Sequence, residues 1–111
     1  MQTIDFIDFQ RIDIRIGTVV KVENFEKARN PSYKLWVDLG ELGIKKSSAQ
    51  ITDLYTIESL LGKQVICVCN FAPRQIADFM SEILVTGFDD ENGKVILATS
   101  EKIAPNGSRL H

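Results

Sequence analysis

The sequence predicts an all-β fold: a five-stranded Greek-key barrel with one short helix between strands 3 and 4 and an extension at each end. Three observations carry that prediction. Apolar and polar residues alternate with period 2 over residues 12–16 and 34–39, the pattern of strands with one buried face, and residues 18–23 and 43–51 read as further strand. A single stretch with helical spacing, residues 52–61, follows them. A near-continuous apolar run over 64–70 and two strand-like runs around an Asp/Asn/Gly-rich turn complete the chain, and closing short strands into a barrel removes exposed sheet edges.

Taken in order, Thr3 is placed to cap a short helical turn carrying Ile4, Phe6, Ile7 and Phe9, with Asp5 in its first turn. Ile12 to Ile16 is a half-buried strand. Gly17 interrupts it, as a bend or bulge in a tightly curled sheet requires, and Thr18 to Glu23 continues with Val20 and Val22 inward. Asn24 to Ser32 is a polar loop. Leu35, Val37 and Leu39 turn to the core from a second strand that stops at Gly40, and Gly43 to Ile51 forms a third. Leu54, Ile57, Leu60 and Leu61 share one helix face, with Gly62 at its end. Gln64 to Asn70 is a strand covered on both faces. Phe71 to Met80 is a loop with Pro73 at its apex; Ser81 to Phe88 and Lys94 to Thr99 form a hairpin across residues 89–93. Pro105-Asn106-Gly107 is a turn, after which Ser108 to Leu110 pair with a sheet edge. This is the strand order of an OB-fold; periodicity alone leaves an SH3-like or other small barrel open.

The 111 residues fit a single domain, 1–111, since domains most often run ~100–150 residues. With 44% hydrophobic and 25% charged residues the chain sits at the globular average. No apolar run approaches the ~18 residues of a membrane span, and the N-terminus lacks the basic and apolar regions of a secretory signal, so the expected location is cytoplasmic, without membrane insertion. A net charge of −2 argues against general affinity for nucleic acid while leaving room for a local basic patch.

Enzymatic chemistry is poorly supplied. The sole histidine, His111, is the last residue, Gly62-Lys63-Gln64 lacks the rest of a phosphate loop, and Asp89-Asp90 reads as a solvated turn. Cys67 and Cys69, two apart on a strand, stand roughly 7 Å apart, beyond ordinary disulfide reach. They also lack further zinc ligands, and are read as free thiols packing as small apolar residues. No metal or cofactor is expected.

The informative residues are of another kind. Trp36 shares the outward face of the second strand with Lys34, where an aromatic beside a cation makes an interface or a stacking platform. Lys45, Lys46, Ser47, Ser48 and Gln50 offer two cations, two hydroxyls and an amide on the third strand, groups that hold phosphate and sugar oxygens. The 71–80 segment and its flanks carry Asn70, Phe71, Pro73, Arg74, Gln75, Phe79, Met80 and Ser81. Phe and Met on a loop give an adaptable apolar contact surface.

Residues 13–17 (Asp-Ile-Arg-Ile-Gly), 34–40 (Lys-Leu-Trp-Val-Asp-Leu-Gly), 47–51 (Ser-Ser-Ala-Gln-Ile), 70–75 and the tail Pro105 to Leu110 together resemble the tRNA-binding-domain OB family. The matches span about residues 9 to 110. Within it, residues 45–52, 75–82 and 84–87 are similar to the export-related chaperone members. The resemblance implies a cytoplasmic homodimer that binds unfolded or precursor polypeptides and the export ATPase SecA, without hydrolysing nucleotide. Two departures stand out. Ser81-Glu82-Ile83-Leu84 replaces the Ser-Glu-Gly-Met of tRNA-binding members, and Ala72-Pro73 replaces a Pro-Pro found in many of the chaperones.

The expected function is therefore an ATP-independent chaperone assisting protein export, with structure-specific tRNA binding as the alternative. Peptide contacts fall to Trp36, Phe71, Pro73, Arg74, Gln75, Phe79 and Met80; tRNA contacts to Lys34, Lys45, Lys46, Ser47, Ser48, Gln50, Asn70, Arg74 and Ser81. Ile4, Phe6, Ile7, Phe9, Ile103 and Leu110 leave both termini more apolar than a lone barrel needs, and are expected to pair two copies.

Overall fold

The computed structural model describes all residues, Met1–His111. Helix α1 (Phe6–Gln10) leads into the strands β1 (Ile14–Asn24), β2 (Tyr33–Asp38) and β3 (Ile44–Ala49), with a single 3-10 turn at Gly40–Leu42. Helix α2 (Ile57–Leu60) precedes β4 (Gln64–Val68), and five short strands follow: β5 (Arg74–Ile76), β6 (Phe79–Ser81), β7 (Leu84–Val85), β8 (Gly87–Asp89) and β9 (Val95–Leu97). The main sheet is antiparallel in the order β3-β2-β1-β4-β7, while β5-β6 and β8-β9 form separate two-stranded sheets. The sheet nearly closes. Just before β7, the Glu82 amide donates to the Lys46 carbonyl of β3 at 2.8 Å. The predicted all-β, five-stranded OB-type barrel with a helix between strands 3 and 4 is what forms.

One apolar cluster fills it. Val19 and Val22 of β1, Leu35 and Val37 of β2, Val65 and Cys67 of β4, together with Leu39, Ile51, Leu60, Ile83 and Leu97, are buried against one another. α2 plugs the barrel through Leu60, and its Thr56 cap hydroxyl accepts from the Ser59 amide at 3.1 Å. The helix is shorter than the 52–61 stretch suggested. Leu54 and Leu61 remain exposed, because Thr56, with a partner three residues on, takes the cap in the middle of that stretch. At the N-terminus Asp5, not Thr3, is the cap, its amide donating to the Asp8 carboxylate at 3.1 Å, which leaves Ile4 outside the helix.

The irregularity of β1 lies between Val19 and Lys21, not at Gly17. The extra residue, Val20, points to solvent, so Val19 and Val22 are the inward pair. Gly17 has a different duty: a Cβ there would meet Val37 Cγ1 at 2.6 Å and Leu39 Cδ2 at 2.7 Å, so its bareness lets β2 cross closely. Residues 71–80 are not one loop. β5 and β6 pair as a hairpin around Ala77, at φ 53°, with Pro73 ahead of it instead of at its apex. The Ser81 to Phe88 run is likewise broken into β6, β7 and the start of the β8-β9 hairpin. The tail pairs with the barrel as expected, Arg109 bridging to Arg15.

Arg15 ties the two extensions to the barrel. Its guanidinium donates to both Asp13 carboxylate oxygens, at 2.8 and 3.2 Å, and to Glu41 and the Gly107 carbonyl at 3.2 and 3.3 Å. That fork holds the Asp13 carboxyl below the usual carboxylate range.

Candidate functional site

Two features occupy the outer side of β2 and β3. The first is an aromatic cluster. Leu35 and Val37 turn inward, so period 2 sends Lys34 and Trp36 outward, and register places Ser48 opposite Lys34 and Lys46 opposite Trp36 on the same face. Phe79, carried in by the β5-β6 hairpin, meets Trp36 edge-on at a centroid distance of 5.9 Å and Phe25 at 5.4 Å. Three ammonium groups surround these rings. Lys21 lies 4.5 Å over Trp36, Lys34 5.0 Å over Phe25 and 5.3 Å from Phe79, and Lys46 5.2 Å from Phe79.

The second is a groove of about 320 Å³ where β3 faces the hairpin, lined by Ser48, Phe71, Arg74, Ile76, Ser81 and Leu84 among others. It runs on through Ser48, Arg74, Ile76 and Leu84 into a second hollow of about 400 Å³ that reaches Arg29, Asn30 and Gln50. Phe71 stands 59% exposed at one end. Arg29 and Arg74 line this path, and Lys34 and Lys46 occupy the neighbouring outer face. The one carboxylate at the groove, Glu82, already accepts from the Lys46 amide at 3.1 Å. A chain of net charge −2 thus presents a locally cationic, half-apolar concavity.

The structure brings together only part of the predicted set. Phe71, Arg74, Ser47, Ser48 and Ser81 line the groove and Gln50 its continuation, Ser47 only from its floor. Phe79 is not an exposed contact: at 6% exposure it is buried in the aromatic cluster, and Trp36 is half-buried beside it. Ser47 is 1% exposed, because it pairs with Leu35 on the inward face, and its hydroxyl donates to the Ser48 carbonyl. Lys45 pairs with Val37, on the opposite face from Lys46. Asn70 is engaged in structure, its Oδ1 accepting from the Asp13 amide and its Nδ2 donating to the Arg11 carbonyl. Pro73, Gln75 and Met80 are exposed outside the groove. Sequence reasoning missed Phe25, Lys21, Arg29 and Ile76. Phe25 was legible as a lone aromatic in a polar loop, whereas Lys21 faces Trp36 only because of the bulge at Val20.

The groove offers rings, hydroxyls and cations for non-covalent contact. Both cysteines are free, and burial pushes the Cys67 thiol up to about 12, so it holds no thiolate. No group of His, Cys, Asp or Glu is arranged to hold a metal ion. No helix is long and apolar enough to cross a membrane.

Residues 14–109 match the tRNA binding domain family. The chain belongs to that family. Two solved structures of similar shape are described as chaperones. The CsaA of Bacillus anthracis superposes with a TM-score of 0.93 at 45% identity, over 99% of this chain and 100% of that one. The CsaA of Picrophilus torridus superposes at 0.92 with 42% identity, over 98% and 100%. Among curated relatives, the methionine–tRNA ligase of Methanocaldococcus jannaschii is 34% identical over 110 residues, which is 99% of this chain and 17% of the ligase. The tRNA-binding domain described here thus spans about a sixth of that ligase's length.

Proposed function

We propose that this tRNA-binding-domain protein is a cytoplasmic, ATP-independent chaperone that holds unfolded or precursor polypeptides for export, as a single domain acting in a homodimer, with SecA as the partner that receives them. The observation that carries the reading is the groove itself. An exposed phenylalanine, Phe71, lines the groove together with Ile76, Leu84 and Arg74, which suits apolar segments of varied sequence and gives adaptable burial in place of fixed hydrogen bonds. Whole-chain likeness to two CsaA chaperones supports it. Phe71→Ala is expected to weaken suppression of client aggregation about tenfold, the loss of one buried ring. Turbidity of a heat-aggregating client, followed with and without the variant, reads this directly; undiminished suppression by Phe71→Ala refutes the assignment.

Pairing of two copies is supported by the termini. Ile4, Phe6, Ile7, Ile103 and Leu110 are exposed, Ile103 at 93%, and Phe6, Phe9, Ile12 and Leu110 edge a further hollow of about 270 Å³. Isologous association through the Phe6 and Leu110 hollow would cover that surface on both copies, whereas Ile103 edges a separate hollow with Gly62 and Lys63. Phe6→Asp is expected to yield a species of single-chain mass by light scattering at micromolar concentration; a wild type already of that mass contradicts the proposal.

The cation set favours a second reading, tRNA binding through Arg29, Arg74, Lys34, Lys46 and Ser48. It requires affinity that falls steeply with salt, and Arg74→Ala is expected to lower the log–log slope by about one. A gel shift without retention at low ionic strength removes it.

A further inference from the structure

Phe79 is buried, yet it lies outside the central apolar cluster that fills the barrel. It is held against the outer face of β2 by a hairpin whose strands pair only with each other. Beyond ring packing, the hairpin's tip is fastened by one exposed ion pair, Lys27 Nζ to Asp78 at 2.8 Å. Its turn places a non-glycine residue, Ala77, at φ 53°, a conformation that disfavours side chains. The next backbone bond to the barrel is at the hairpin's base, from Glu82 to Lys46. An element that packs on β3 and the rings but is hydrogen-bonded to the barrel only at its base and tip is drawn from the more readily opened part of a fold. The place Phe79 fills is formed by Trp36 and Phe25, with the ammonium groups of Lys34 and Lys46 beside it.

We propose that this seat is a binding site for an aromatic side chain of an extended polypeptide, closed in the free chain by its own Phe79 on the β5-β6 hairpin. The inference rests on the polypeptide-binding reading above and names the class of side chain it takes. The occupant already in place shows the fit, since it is a phenylalanine borne on an extended strand. Lysine ammonium groups over a ring are attracted by its π face and gain nothing comparable from an aliphatic group, so the seat prefers Phe, Tyr or Trp to Leu.

The test uses the full chain and two short Gly/Ser-rich peptides, one bearing a central Phe and the other Leu. Trp36, the sole tryptophan, reports through its fluorescence. The Phe peptide is expected to bind at least about threefold tighter than the Leu peptide, the value of one cation–π contact. Phe79→Ala, which vacates the seat, is expected to bind the Phe peptide several-fold tighter than wild type. Asp78→Asn, which releases the tip and leaves the rings intact, is expected to tighten binding too. Without any peptide, Asp78→Asn is expected to increase acrylamide quenching of Trp36, and amides of 75–80 to exchange ahead of those in β1 and β4. Equal binding of the two peptides, weaker binding by Phe79→Ala, or exchange at 75–80 as slow as in β1 overturns the proposal. Should the peptide preference hold while the protein fails to keep an aggregating client in solution, the chaperone reading falls and the seat stands.

Discussion

Lys46 and Glu82 bind each other twice: the Glu82 amide donates to the Lys46 carbonyl at 2.8 Å, and the Lys46 amide donates to Glu82 Oε1 at 3.1 Å. This reciprocal pair joins β3 to the residue just before β7, where the sheet would otherwise stay open. Glu82→Ala leaves the Lys46 amide without its side-chain acceptor and is expected to cost about 1–2 kcal/mol of stability. Glu82→Gln keeps an oxygen there and is expected to cost clearly less. Urea denaturation of both variants checks the order, and an equal loss in the two contradicts the hydrogen-bond account.

Acid should loosen the attachment of the termini. The Asp13 carboxyl is held below its ordinary value of 3.8, first by its hydrogen bonds from Arg15 and also by Arg109, against a burial effect that raises it. A carboxyl with a depressed folded-state pKa contributes stability above its unfolded value and loses that contribution as pH falls through the folded one. Asp13→Asn is therefore expected to be less stable than wild type at pH 7, with the gap narrowing as pH drops below about 4. Thermal melts across pH 2–7 measure it, and a gap that stays constant refutes it.

Gly17 is required by closeness. Its position opposite Val37 Cγ1 and Leu39 Cδ2, and 2.8 Å from the Asp38 carbonyl for an added Cβ, leaves no room for a methyl group. Gly17→Ala is expected to destabilise by about 1–3 kcal/mol through forced separation of β1 and β2. Gly43→Ala, where a Cβ meets nothing within 4 Å but φ is +82°, is expected to cost about 1–2 kcal/mol through backbone strain alone. Crystal structures or amide chemical shifts separate the two: only Gly17→Ala should perturb β2.

The barrel was legible because its pattern is local. Leu35, Val37 and Leu39 alternate with Lys34, Trp36 and Asp38, and a period of two leaves one choice of buried face. The hairpin at 74–81 was not legible, since its strands are three residues each and its turn uses Ala77 where Gly or Asn would signal a positive φ. The inward valine of β1 was misplaced for a related reason: a bulge at Val20 shifts the count by one, and nothing in the residue type announces it. The site was half visible. Trp36 and Arg74 stood out by type and position, but the burial of Ser47 followed only from its register against Leu35, and that of Phe79 only from a hairpin unseen in the sequence.

Both ends of the chain reach one place, for the Arg109 guanidinium donates to the Gln10 carbonyl at 2.7 Å beside the hollow edged by Phe6 and Leu110. A purification handle fused at either end would therefore crowd the surface where two copies are proposed to meet, and would bias any measurement of assembly. Labels are better grafted into the solvated turn at 90–93, on the β8-β9 hairpin.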